Sequence, residues 1–170
     1  MTRFGWVMAT YFATLVIGVS ALFHPSPKLI WNASASVPIG LYSVQRGSTL
    51  MDGDLVVASP PMPLASVLAA RRYLPRGVPL IKHVAALTKQ IVCRHGVIVT
   101  IDGVAVASAL TRDRAGRSLP VWQGCRTLTA REIFLLNPTV PDSLDGRYFG
   151  PLPMASVIGR AVPLWTFKEP

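Results

Sequence analysis

The 170-residue chain fits one domain of ordinary size, long enough to bury a core even with an anchor set aside. It is 51% hydrophobic with a mean hydropathy of +0.42, high for a soluble protein, so part of the excess is expected to sit in lipid. The net charge of +9 invites a nucleic-acid reading, but Arg71, Arg72, Arg76, Arg112, Arg114 and Arg117 are scattered through Pro- and Gly-rich connections with no zinc-finger, RRM or KH pattern. No specific nucleic-acid partner is therefore expected, and anionic lipid headgroups account for the basic excess at least as well.

Residues 4–23, FGWVMATYFATLVIGVSALF, carry no charged side chain, and about 20 such residues match the hydrocarbon thickness of a bilayer. A cleaved secretory signal has a shorter apolar core and a small-x-small exit, whereas this run ends in Phe23-His24-Pro25. The expectation is one retained transmembrane helix, with residues 1–24 as anchor and 25–170 as the body. Arg3 before the span and Lys28 after it leave a weak positive-inside bias, read as amino terminus inside and body outside.

HPSPKLIWNAS then reads as a proline-punctuated exit, and the chain holds no internal repeat. LYSVQ (41–45) and DLVVAS (54–59) read as strands in a hairpin-like arrangement around Gly47 and the MDGD turn. PLASVLAARRYL (63–74), closed by Pro75, is the one helix predicted in the body. From Pro79 the pattern returns to strand, PLIKHVAAL and KQIVCRHGVIVTIDGVAVAS, with Asp102-Gly103 as a tight hairpin turn inside an antiparallel meander. Residues 108–127 read as polar and turn-rich, followed by EIFLLN, RYFG and VIGRAVPLWTF as further strands. The predicted body is thus mainly β and antiparallel with a short inserted helix.

Cys93 and Cys125 lack the spacing of a metal knuckle. In an oxidising compartment they are expected to form one disulfide worth about 3 kcal/mol, the alternative being two buried thiols. Of the three histidines, His24 abuts the span and His95 lies in a CRHG turn, so both read as surface residues. His83 is the one candidate for a Ser-His-Asp triad, and Lys82 lies beside it.

In an extended LIKHV segment, alternation places Lys82 with Leu80 and Val84 on one face. A lysine among aliphatic side chains loses hydration, which lowers its pKa toward a range where it can act as general base. The alternative is a lysine snorkelling from a strand edge. In SASVPIG, Pro38 directs the chain just after Ser36, and an extended segment would put Ser34 on the same side. The Ser34 hydroxyl and the Ser36 N–H would then both donate to a developing oxyanion. In SLDGRYFG, Ser143 and Asp145 share one side of an extended segment; Ser143 could orient a lysine and Asp145 could pair with Arg147, His83 or another basic residue, the alternative being a plain Asp-Gly turn.

Taken in order, these stretches resemble signal peptidase I and its relatives, serine peptidases that use a Ser-Lys dyad. SVP resembles the nucleophile box, GDLVV (53–57) the strand box after it, GVPLIKHVAAL the lysine box and SLDGRYFG the carboxyl-terminal box, over about residues 32–165. The chain departs from typical leader peptidases in three places. Val37-Pro38 stands for Met-x-Pro, Lys82-His83 for Lys-Arg, and Asp145-Gly146-Arg147 for Asp-Ser-Arg. NASASVPIGLY, the compact size and the paired cysteines with WQGCR are similar to the TraF-type conjugative-transfer branch, which matures a pilin subunit and can close it head to tail.

The resemblance implies Ser36 as nucleophile, Lys82 as its base, Ser34 with the Ser36 amide as oxyanion hole, and Ser143 and Asp145 as supporting residues. It also implies a single-pass enzyme of the inner membrane with its catalytic domain on the periplasmic side. Its substrate is a protein precursor, a pilin or an exported preprotein, and the chemistry calls for neither cofactor nor metal. A general leader peptidase, and a non-catalytic anchored subunit of a conjugation or secretion apparatus, are the alternatives.

Overall fold

The structure, a computed structural model, describes residues 2–22 and 27–167. The charge-free run forms helix α1 (Arg3–Leu22), whose Arg3–Ser20 window has a mean hydropathy of 1.2 and no buried residue. At 1.5 Å per residue, 20 residues span about 30 Å, long and apolar enough to cross a bilayer. The exit Phe23-His24-Pro25, with the anchor boundary and the surface placement of His24, lies outside the described residues.

The body is two antiparallel sheets, as the alternating patterns predict. In chain order its elements are β1 (Leu29–Asn32), β2 (Gly40–Gln45), β3 (Leu55–Ala58), α2 (Met62–Ala70), β4 (Leu80–Ala86), β5 (Ile91–His95), β6 (Ile98–Ile101), β7 (Val104–Ser108), β8 (Gly124–Thr127), β9 (Glu132–Leu136), α3 (Gly146–Phe149), β10 (Leu152–Pro153) and β11 (Val157–Thr166). The larger sheet runs β1-β2-β11-β3-β4-β9-β10 and the smaller β7-β6-β5-β8.

Several local expectations change. The hairpin of 41–45 with 54–59 does not form: β11, ten residues with two edges to satisfy, pairs with β2 on one side and β3 on the other. The meander is confined to β5, β6 and β7, because β4 belongs to the larger sheet. At its turn Asp102 and Gly103 both take positive φ, 49° and 84°, as a two-residue hairpin loop requires. The polar stretch 108–127 supplies β8, and the proline-punctuated exit supplies β1. Helix α2 stops at Ala70 rather than residue 74, where Arg72 at φ 58° reverses the chain and Tyr73 N–H donates to the Leu68 carbonyl. RYFG is not a strand. It is a single helical turn, because the Asp145 carboxylate caps it by accepting from Arg147 N–H.

Strand β9 holds the two sheets together. Its unbroken apolar run is buried on both faces: Ile133 and Leu135 join Val56, Ala58 and Val84, while Phe134 and Leu136 join Ala86, Val92, Val99 and Ile101 of the second core. Buried Arg94 of β5 reinforces the joint by donating to the Arg147 carbonyl. Cys93 and Cys125 stand opposite each other on β5 and β8, Cα atoms 4.0 Å apart, with their sulfurs joined.

Gly146 is where the chain departs from the Asp-Ser-Arg pattern, and packing accounts for the departure. A Cβ there would lie 2.6 Å from the Phe134 ring and 2.7 Å from the Leu135 carbonyl oxygen. Gly146→Ser is therefore expected to destabilise the body by about 1–3 kcal/mol through overpacking, measured by denaturant unfolding. The bridge closes a separation of 32 residues. Reduction, or Cys93→Ala with Cys125→Ala, is expected to remove about 3 kcal/mol in the same assay, and non-reducing peptide mapping should recover the linked pair.

Candidate active site

Three segments distant in sequence converge here: the loop after β1, strand β4, and the stretch from β9 to α3. The loop is organised by Asn32, a buried residue at the end of β1. Its Oδ1 accepts from Ser34 N–H (3.1 Å) and Ser34 Oγ (2.8 Å), while its Nδ2 donates to the carbonyls of Ser34 (2.8 Å), Val37 (2.9 Å) and Pro38 (3.1 Å). These bonds bend residues 34–37 into a turn, so the extended geometry expected for this stretch is absent. The turn still brings Ser34 Oγ to 3.1 Å from Ser36 Oγ. Among the described residues no acceptor takes the Ser36 N–H.

Lys82 lies in β4 opposite Val56 of β3 and is 4% exposed. Its Nζ donates to Ser143 Oγ at 2.8 Å, and no direct hydrogen bond joins it to Ser36 among the described residues. Loss of hydration on burial lowers its pKa to about 8, with the Asp145 charge opposing the shift and the Arg147 charge adding to it. A snorkelling lysine at a strand edge does not describe this environment, since β4 is flanked by β3 and β9.

Asp145 pairs with Arg147 at 2.8 Å, and both are fully buried. It does not pair with His83, whose Nδ1 lies 3.0 Å from the Gly53 carbonyl instead. Nor do Ser143 and Asp145 share an extended side: the chain turns at Ser143, whose N–H donates to the Val140 carbonyl. Ser143 thus faces Lys82, while Asp145 faces Arg147 and the N–H of Asn137 (3.0 Å). His95 lies on the other sheet beside the disulfide, its Nε2 3.6 Å from Cys125 Sγ.

Ser34, Ser36, Lys82 and Ser143 all line one cleft of about 680 Å³, walled by Leu68, Tyr73 and Leu74 after and within α2 and by Val140 and Leu144. The arrangement provides a hydroxyl, a desolvated amine, an N–H donor and partly apolar walls, the groups that acyl transfer through a nucleophile and a lysine base would use. Two residues that shape it were not among those singled out by sequence. Asn32 had a local signal, an asparagine two residues before a serine in a turn. Asn137 had none.

Comparison with known proteins identifies the family of the chain. The family described as signal peptidase, peptidase S26, matches residues 1–165. A probable conjugal transfer protein TraF of Sinorhizobium fredii is 34% identical over 170 residues, covering 94% of this chain and 88% of its own. The conjugal transfer protein TraF of Agrobacterium fabrum is 34% identical over 146 residues, 80% of this chain and 81% of its own. A crystal structure of signal peptidase I from Enterococcus faecalis aligns with a TM-score of 0.38 at 20% identity, over 66% of this chain and 97% of that one. On the family match across nearly its whole length and these relatives, the chain belongs to the signal peptidase family, peptidase S26.

Proposed function

We propose that this chain is a membrane-anchored serine endopeptidase that processes a protein precursor, a pilin subunit, for conjugative transfer. The observation that carries the reading is the burial of Lys82, which lowers its pKa to about 8 in the cleft that Ser36 also lines. The family match and the conjugal transfer names of the relatives support the class of reaction and its setting. Helix α1 is the retained anchor, and the body works on the extracytoplasmic side.

Neutral Lys82 accepts the Ser36 hydroxyl proton as Oγ attacks the substrate carbonyl. The oxyanion takes hydrogen bonds from the Ser36 N–H and the Ser34 hydroxyl, which turns from Asn32 to do so. As the tetrahedral intermediate collapses, Lys82 returns its proton to the leaving amine and an acyl-enzyme remains. Water then releases a linear product, or a substrate amine held in line releases a cyclic one, positioning favouring the second by up to about 7–11 kcal/mol. Ser143 holds the Lys82 amine, and the Asp145–Arg147 pair holds the backbone around it.

Mass spectrometry of a candidate pilin precursor incubated with the purified protein tests this. A terminal peptide is expected to be lost with the wild type, and the rate to fall at least about 10³-fold with Ser36→Ala or Lys82→Ala. A product one water lighter than the trimmed linear chain identifies cyclisation. Equal cleavage of unrelated secretory precursors identifies a general leader peptidase, and full function of both variants in mating assays a non-catalytic subunit.

The base must be neutral to work. Activity is therefore expected to fall as pH drops through about 8, the value to which burial lowers Lys82, and to rise to a plateau above it. A pH profile of kcat/KM checks this; a rate flat from pH 6 to 10 would remove Lys82 from the role.

A further inference from the structure

We infer that Asn137 is the positioning residue that sets the nucleophile loop against the strand carrying the base, an inference resting on the Ser36–Lys82 reading above. Asn137 follows β9 and is 1% exposed. Its carboxamide faces two backbones at once: Nδ2 donates to the Ser36 carbonyl at 2.7 Å, and Oδ1 accepts from the His83 N–H at 3.2 Å. The first contact is on the residue bearing the hydroxyl. The second is on the residue next to Lys82.

At its far end, beside β2, the loop is also tied by the Ile39 carbonyl, which accepts from Phe167 N–H at 2.8 Å. Among the described residues, the other side-chain hydrogen bonds of residues 32–38 stay within a few positions of sequence, whereas the Asn137 bond spans 101 residues. Asn137 is itself held at both ends of its backbone by the buried ion pair. Its N–H donates to Asp145 Oδ2 at 3.0 Å, and its carbonyl accepts from Arg147 Nη2 at 2.9 Å. Order thus passes from Asp145 and Arg147 to the Asn137 backbone, and through its side chain to Ser36 and β4.

The chemistry restricts what can occupy the position. The group must donate to a carbonyl and accept from an N–H in one short planar unit, which a carboxamide does and a carboxylate or an alkyl group does not. An aspartate would set an oxygen against the Ser36 carbonyl oxygen, and an alanine would leave two backbone groups without partners. The position matters because Lys82 bonds Ser143 and Ser36 bonds Ser34 in this structure, so the two side chains must rotate toward each other for proton transfer. Asn137 holds their backbones at a constant separation while that happens, and a misplacement of about 1 Å can cost about 10²-fold in rate.

The test uses the full-length protein in detergent micelles, with the precursor that the wild type cleaves, at a temperature where thermal melting shows each variant fully folded. Asn137→Asp, nearly isosteric, and Asn137→Ala are both expected to lower kcat about 100-fold with KM within about threefold of wild type. A kcat within threefold of wild type in either variant overturns the inference. So does a parallel loss of kcat and substrate binding, or failure of both variants to fold, since either marks a purely structural role. Ser36→Ala and Lys82→Ala run alongside: if these keep the wild-type rate, the dyad reading itself fails and the Asn137 inference with it. If they are inactive while the Asn137 variants are not, only the inference fails.

Discussion

An amine buried in a β-sheet governs this site. Lys82 lies between two strands, opposite a valine, where an ammonium ion is poorly solvated and the neutral form is favoured relative to water. An isolated lysine in such a place would be a liability for folding, and the surrounding structure moderates the cost without removing it. Ser143 accepts its hydrogen bond, and the Asp145 charge draws the pKa partway back, while the Arg147 charge works against that. The balance leaves the amine near the point where it can exchange a proton at mildly alkaline pH, which the proposed chemistry requires.

The second buried charge cluster supports the first. Asp145 and Arg147 satisfy each other and then turn their remaining hydrogen-bonding capacity to backbone: Arg147 donates to the carbonyls of Asn137, Val140 and Pro141, and Asp145 accepts from Asn137 N–H. A buried ion pair with such secondary partners contributes more to a single geometry than to net stability. The pair needs the tight turn of α3 packed against β9, and that packing leaves room only for a glycine at position 146.

Much of the body was legible because the signals were local. The charge-free run predicted a helix of membrane length, the Asp-Gly step predicted a two-residue turn, and period-two alternation put Lys82 with Leu80 and Val84 before any partner strand was known. The misread elements depend on groups far away. RYFG has strand-like composition, but its helical turn is decided by the Asp145 cap. GCRT looked like a turn, but it forms a strand on the edge offered by β5. No pattern within 41–59 announces that a strand about a hundred residues later will separate β2 from β3.

By itself, then, the sequence determined the anchor-length helix, the antiparallel β character of the body, and the residue types able to act as nucleophile, base and support, because hydropathy, periodicity and functional-group chemistry are properties of short segments. Only the tertiary structure decided which of these meet. It set Lys82 on Ser143 instead of Ser36, gave Asp145 to Arg147 and not to His83, and brought Asn137 across 101 residues to the Ser36 carbonyl. The physical reason is that strand order and side-chain hydrogen bonding are settled by the joint burial of distant apolar faces, which no single segment encodes.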